Sequence, residues 1–252
     1  MELSLQDKVV MVTGSARRVG RGIALGFARQ GAHVVIHHHS SDEDAEQAAE
    51  AARAFGVEAL IVKGDHSQYE DVAGNFEAAA AHFGRIDVLV NSASIFEQTD
   101  LLEIAPDEWQ AVLDVNLSGP FWCTQHAGRL MRDRGTAGAI INIADNSGLR
   151  PWGNRPHHSI SKAGVIMLTQ VTARALAPHQ IRANCLVLGP ILPSPGMSDE
   201  YWQSVEDRLP LKRSGDVDDV ARAAIFLAAN SFITGAVVRV DGGEWLGNAG
   251  GD

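Results

Sequence analysis

The feature that most restricts how this chain can fold is a regular alternation of two kinds of segment. One kind is short, β-branched and bounded by Gly, Asn or Asp, at residues 9–13, 33–37, 58–63, 86–91, 138–144, 181–188 and 236–240. The other is longer, Ala-rich and apolar at helical spacing, at residues 20–30, 42–55, 67–83, 106–134, 159–177 and 217–229. Strands that alternate with helices argue for βαβ units and a mostly parallel sheet. Right-handed crossovers then place helices on both faces. The short, nearly all-apolar strands suit a sheet buried on both sides. The expected fold is therefore α/β, a Rossmann-type doubly wound parallel sheet of about seven strands. No linker or repeat divides residues 1–252, so one domain is expected.

Helix ends are marked by Gly31, Gly56 and Gly84, where left-handed caps are expected. Ser40 and Ser41 precede Asp42, Glu43 and Asp44, a cap followed by acids in the first turn. Pro178 is expected to stop the helix that begins near residue 159. The Pro- and Gly-rich stretch 189–198 reads as a loop.

Composition bounds the partners. Lys and Arg number 21 against 31 Asp and Glu, a net charge of −10. A broad nucleic-acid surface or an anionic membrane is thereby disfavoured as the main partner. Two distant cysteines, Cys123 and Cys185, build neither a disulfide framework nor a cysteine-rich zinc site, and a reduced, cytoplasmic compartment is expected. The N-terminal residues carry acids and only a short apolar run, unlike a signal peptide or membrane span.

The strand at 9–13 runs into Thr13-Gly14-Ser15-Ala16-Arg17-Arg18-Val19-Gly20-Arg21-Gly22 and then a helix. Such a turn lets backbone N–H groups approach a pyrophosphate, and the helix N-terminus favours its charge. Three glycines alone could equally make an ordinary tight turn; the position in the first βα unit favours the phosphate reading.

The turn resembles that of the short-chain dehydrogenase/reductase family, usually Thr-Gly-x-x-x-Gly-x-Gly. Arg18 stands at the middle glycine, which resembles the pteridine reductase branch, where Arg helps to hold the NADP phosphates. The resemblance covers nearly the whole chain. Asp65 matches the adenine-contacting Asp; Asn91-Ser92-Ala93-Ser94 matches the Asn-Asn-Ala-Gly segment; Asn116 matches the helix-borne catalytic Asn. Ser161-Lys162-Ala163-Gly164 matches the stretch holding the active-site Lys, and Val240-Asp241-Gly242-Gly243 the C-terminal signature. Leu188-Gly189 stands where Pro-Gly is usual. Thr13, Gly14, Val19, Gly20, His66, Asn91, Ser92, Ala93, Lys162, Gly189 and Ile191 join the implied cofactor set.

The end of the second strand indicates which cofactor. NAD enzymes place a carboxylate there for the ribose hydroxyls. This chain reads His37-His38-His39-Ser40-Ser41, so a 2′-phosphate would meet imidazoles, hydroxyls, Arg17 and Arg18. NADP(H) is the expected cofactor, although Asp42, Glu43 and Asp44 would oppose a phosphate if they faced it. Three successive histidines on a strand point to alternate faces and do not readily share a metal, so no metal is expected.

The family's Tyr-x-x-x-Lys places Tyr and Lys on one helix face. Counting back from Lys162 gives His158 instead, and neither Tyr69 nor Tyr201 has the required spacing. The family's Ser, thirteen residues before that Tyr, is replaced by Asp145, which resembles the pteridine reductase pattern. Phe96 resembles that branch's pterin-stacking aromatic, or is simply a partly buried loop residue. Imidazole is a competent acid or base. A protonated His158–Asp145 pair and a neutral His158 bonded to substrate both remain open. The resemblance implies Lys162 on the nicotinamide ribose and Asn116 positioning a water near it. Ser94, Phe96, Asp145, His158, Trp152, Met197 and Trp202 are the expected substrate contacts, with a lid at about 190–213 and Asn154 and Arg155 on the opposite rim. The implied activity is NADPH-dependent hydride transfer to a C=N or C=O group of a pteridine-like or other small carbonyl substrate. The alternative is an NADP(H)-binding sensor or scaffold with a degenerate site. Family members are commonly tetramers, so a homotetramer is expected, with Trp122 at a subunit contact.

Overall fold

The computed structural model describes residues 5–247. Its strands are β1 (Val9–Val12), β2 (His33–His38), β3 (Ala59–Lys63), β4 (Val88–Asn91), β5 (Gly138–Asp145), β6 (Ile181–Leu188) and β7 (Val237–Val240). They form one sheet in the order β3-β2-β1-β4-β5-β6-β7, with every pairing parallel. The expected doubly wound architecture is present. The order reverses between β1 and β4, and a crevice opens there at the strands' C-terminal ends, where ligands of such sheets bind.

Strand alternation sends side chains to two separate cores. Val10, Val12, Val34, Ile36, Val88 and Val90 pack under α1 (Arg18–Arg29), α2 (Asp42–Arg53) and, beyond them, the helix Val217–Ala229. Val9, Met11, Val35 and Leu89 face α3 (Tyr69–Phe83) and the helix Gly119–Asp133. Burial on both faces is why these strands read as continuous apolar runs.

Three expectations are corrected. The stretch 106–134 is not one helix. It is α4 (Pro106–Leu113), a π turn at Asp114–Ser118, and α5 (Gly119–Asp133). Pro120 has no N–H to return to the carbonyl four residues back, so the ladder loosens there and Asn116 sits on the widened turn. Second, the stretch 189–198 is a loop as expected, but a helix outside the expected set follows it. Numbering continues α6 (Pro156–Leu176), α7 (Asp199–Arg208) and α8 (Val217–Ala229). Ser198 caps α7 by accepting from the Tyr201 N–H, 3.2 Å away. Third, Ser41 occupies the N-cap of α2, but its hydroxyl receives Arg17 rather than capping the helix. Gly31, Gly56 and Gly84 do adopt positive φ. Among the described residues no helix is long and apolar enough to cross a membrane.

Candidate active site

Two cavities meet at the crevice, sharing Arg18, Val19, Ser92 and Ser94 on their walls. The first, about 370 Å³, lies over the turn after β1. Gly14 has φ +64°, and a Cβ there would lie 2.9 Å from the Ala93 Cα, so the turn closes only on glycine. The Gly14 N–H donates to His37 Nδ1 at 3.0 Å. The ring proton of His37 therefore sits on Nε2, which is buried without a protein partner among the described residues. His66 likewise leaves its buried Nε2 unpartnered. Burial pushes His37 down to about 4 and His66 to about 3, so both rings are neutral. A glycine cradle beside buried, unsatisfied imidazole nitrogens fits the adenosine and phosphate half of a dinucleotide.

Arg17 lines this cavity and pairs with Asp44 at 2.9 Å, while Asp42 pairs with Lys63 at 2.7 Å. Two of the acids that would oppose a phosphate are thus matched by cations. Arg18 holds φ +51°, a conformation that favours the glycine usual at this place, and its guanidinium reaches across to the Pro193 carbonyl at 3.0 Å. Gly20, His39, Asp65, Ser92 and Ala93 also line the first cavity.

Five residues expected at the cofactor are placed elsewhere. Thr13 is buried and accepts from the Ser92 and Ala93 N–H groups at 2.9 and 3.0 Å, so it shapes the crevice wall from behind. Asn91 donates to Asn142 at 2.8 Å within the sheet. His38 does not line the cavity, because β2 continues through it and alternation turns its ring from the face that His37 presents. Ser40 is exposed beyond the cavity, and Ile191 is buried in the core below the lid.

The second cavity, about 760 Å³, collects Asp145 from the end of β5, His158 and Lys162 from α6, and Phe96 and Trp152 from loops. Gly189, Met197, Tyr201 and Trp202 form the lid side, and Asn154 and Arg155 the rim. His158 Nε2 lies 2.7 Å from Asp145 Oδ2. Asp145 Oδ1 accepts the Ser147 N–H at 3.0 Å and also its hydroxyl. Burial alone would raise the Asp145 carboxyl, but the His158 hydrogen bond, the Lys162 charge and Ser147 outweigh it and hold it below its ordinary value. Lys162 is buried and donates to the Ile143 carbonyl at 3.2 Å; burial lowers its ammonium, with Asp145 opposing.

Asn116 is held by the backbone of Ile95 and lies beside His158. Its Oδ1 accepts the Ile95 N–H at 2.8 Å and its Nδ2 donates to the Ile95 carbonyl at 3.0 Å, which fixes the amide orientation. That same Nδ2 faces His158 Nδ1 at 3.4 Å. It also reaches Ser161 Oγ at 3.3 Å; the Asp145 carboxylate at 2.7 Å is what places the ring proton on Nε2, leaving Nδ1 of the neutral ring an acceptor. Phe96 meets the His158 ring edge-on at 4.8 Å, and Trp152 lies parallel to it at 6.2 Å. The Arg155 guanidinium lies 3.8 Å over Phe96, covering one face of the expected stacking platform.

Several lining residues escaped the sequence reading, among them Gln98, Ile143, Ala144 and Glu244. Glu244, immediately after the Val240-Asp241-Gly242-Gly243 signature, is half-buried in the second cavity and accepts from Asn146 Nδ2 at 2.6 Å. An acid directly abutting a recognised motif was the available signal.

The family described as enoyl-(acyl carrier protein) reductase, of the short-chain alcohol dehydrogenase type, matches residues 14–244. The chain is 38% identical over 251 residues to L-rhamnose 1-dehydrogenase (NAD(P)(+)) of Azotobacter vinelandii, covering 96% of this chain and 98% of that protein. It is 34% identical over 245 residues to a 3-oxoacyl-(acyl-carrier-protein) reductase of Staphylococcus epidermidis, covering 95% and 100%. Among solved structures, L-sorbose reductase from Gluconobacter frateurii, complexed with NADPH and L-sorbose, superimposes with a TM-score of 0.91 at 30% identity, covering 96% of this chain and 98% of that one. Matches that span the crevice, the reaction centre and the C-terminal signature make one assignment: the chain belongs to the short-chain dehydrogenase/reductase family of nicotinamide-dependent oxidoreductases.

Proposed function

We propose that this protein is an NADPH-dependent reductase that delivers hydride to a C=O or C=N carbon of a small substrate, with His158 and Asp145 handling the proton. The observation that carries this reading is the 2.7 Å contact between His158 Nε2 and Asp145 Oδ2, on a cavity wall that also bears Lys162. The first cavity would hold the dinucleotide, with Gly14, Gly20, Arg17 and Arg18 available to the phosphates and His37 and His66 to the adenosine. When bound, the nicotinamide supplies the hydride. The oxygen or nitrogen left negative is then stabilised by the Lys162 ammonium and takes a proton from the His158–Asp145 pair. The donating form is the imidazolium, whose charge would lie beside the Asp145 carboxylate.

A carbonyl substrate is favoured over a pteridine. Arg18 and Asp145 suit the pteridine reductase pattern, but Arg155 already covers one face of Phe96. The relatives named for rhamnose, 3-oxoacyl and sorbose chemistry also act at carbonyl or carbinol carbon. We further propose a homotetramer, supported by the exposed apolar side chains Phe121, Ile160, Met167 and Val171 on α5 and α6.

One contact favours a second reading, a cofactor-binding protein with little turnover. Asn116 Nδ2, opposite His158 Nδ1, stabilises the tautomer that keeps its proton on Nε2. NADPH oxidation measured with sugars, 3-oxoacyl esters, small ketones, quinones and dihydropterins separates the two. Turnover of any carbonyl substrate is the expected result; cofactor binding without turnover of the whole panel overturns the reductase reading.

A further inference from the structure

Glu244 is unassigned by the chemistry above, yet its carboxylate reaches the wall of the larger cavity from the far end of the chain. It rides on a short 3-10 turn, Glu244–Leu246, launched by Asp241. The Asp241 carboxylate accepts the Gly243 and Trp245 N–H groups, each at 3.0 Å, so the turn is held by its own preceding acid. Gly243 has φ +88°, which turns the chain back over the cavity.

The space for the carboxylate is built. A Cβ on Gly189 would lie 3.0 Å from Glu244 Oε2 and 2.7 Å from the Asp241 Cα, so the loop after β6 admits Glu244 only because residue 189 is glycine. Oε2 takes the Asn146 amide at 2.6 Å. Oε1 receives no hydrogen bond from any described residue. Burial raises the carboxyl above its ordinary range, with the Asp145 charge adding to the effect.

Each cation of the cavity holds at least one oxygen of the protein. Arg18 is bonded to Pro193, Lys162 to Ile143, and Arg155 to the Phe96 carbonyl and Gln98. Those cations keep further N–H donors, so Glu244 Oε1 adds an acceptor on a wall where Arg18, Arg155 and Lys162 supply donors.

We infer that Glu244 is a specificity-determining residue: its free Oε1 accepts a hydrogen bond from a hydroxyl of a polyhydroxylated carbonyl substrate, orienting the carbonyl toward His158 and Lys162. The assignment rests on the carbonyl-reductase reading above. A site that hydrogen-bonds a substrate hydroxyl discriminates strongly against analogues lacking it, because the buried acceptor is then left unpaired.

The test titrates the protein, with and without NADPH, with glucose, galactose, mannose, fructose and, as a hydroxyl-free carbonyl of similar size, cyclohexanone. Tryptophan fluorescence reports occupancy, since Trp152 and Trp202 line the cavity. At least one hexose is expected to bind, and Glu244→Met to weaken it about 10- to 100-fold, the usual worth of a charge-assisted hydrogen bond, without changing cyclohexanone binding. Glu244→Gln, which retains an acceptor for Asn146, is expected to fall between. Parallel weakening of hexose and cyclohexanone would show that Glu244 merely holds Asn146 and overturns the inference, as does the absence of hexose binding to the wild type. Glu244-dependent hexose binding without turnover supports the inference while removing the reductase reading.

Discussion

His158 and Asp145, thirteen residues apart, meet at 2.7 Å where the end of β5 faces the first turn of α6. The pair stands at the positions of the Tyr and Ser expected from the family resemblance. Their side chains are 2% and 20% exposed, so the proton they share is screened by Phe96 and Trp152 but still borders the cavity.

If that proton is the one delivered, His158→Ala lowers turnover by about 10²–10⁴-fold, the range for general acid–base groups. NADPH affinity should stay nearly unchanged, since His158 is assigned to the proton and Lys162 to the cofactor ribose. Steady-state kinetics beside calorimetry reads both. Intact turnover in the variant would assign the proton to Asp145 or water instead. Lys162→Ala should differ by lowering both turnover and cofactor affinity.

His157 does not serve as a neutral control for that experiment, although the helical turn directs it elsewhere. It is fully buried, its Nε2 lies 3.1 Å from Glu108, and its Nδ1 accepts the His158 N–H at 3.0 Å. His157→Ala is therefore expected to lower both turnover and the thermal midpoint, with a buried hydrogen-bonded group lost at about 1–3 kcal/mol. Unchanged melting would show that this chain of bonds does not hold α4 to α6.

For the cofactor, NADPH should bind more tightly than NADH, and Arg18→Ala or Arg17→Ala should narrow the difference. Asp44→Asn should widen it by freeing Arg17 from its 2.9 Å partner. Calorimetry with both cofactors checks this, and equal affinities in the wild type would refute it.

The neutral histidines predict an acid limb to stability. His37 and His66 fall to about 4 and about 3 in the folded protein, against about 6.5 in an unfolded chain. Between these values the unfolded chain binds protons that the folded one does not. The stability they confer is full above about pH 6.5 and is lost as pH falls toward the folded values, by up to about 1.4 kcal/mol per pH unit for each residue. Urea midpoints should follow this slope, and His37→Asn with His66→Gln should flatten it. The same slope in the double variant would contradict the assignment.

Assembly is checked by light scattering. A homotetramer is expected, weakened by Phe121→Ser, because Phe121 is 42% exposed on α5. Trp122, expected at the contact from sequence, is partly buried against Tyr69 and Phe121. A 26.9 kDa monomer would refute the tetramer.

Much of this molecule follows from local pattern. The alternation of β-branched runs with Ala-rich helical stretches determines the parallel sheet, since each strand must bury both faces. Gly14, Gly20 and the four-residue spacing of His158 and Lys162 likewise place the phosphate turn and one face of α6, because backbone sterics and helical period act within a few residues. Tertiary structure decided the rest. Only packing shows that His37 receives the Gly14 N–H, that Thr13 and Asn91 turn inward, and that Asn116 lies against His158. The break at Asn116 came from a missing donor at Pro120 inside an otherwise periodic run. Glu244 reaches Asn146 across 98 residues, a distance over which no local propensity acts; the close approach at Gly189 and the pairing of β5, β6 and β7 bring them together.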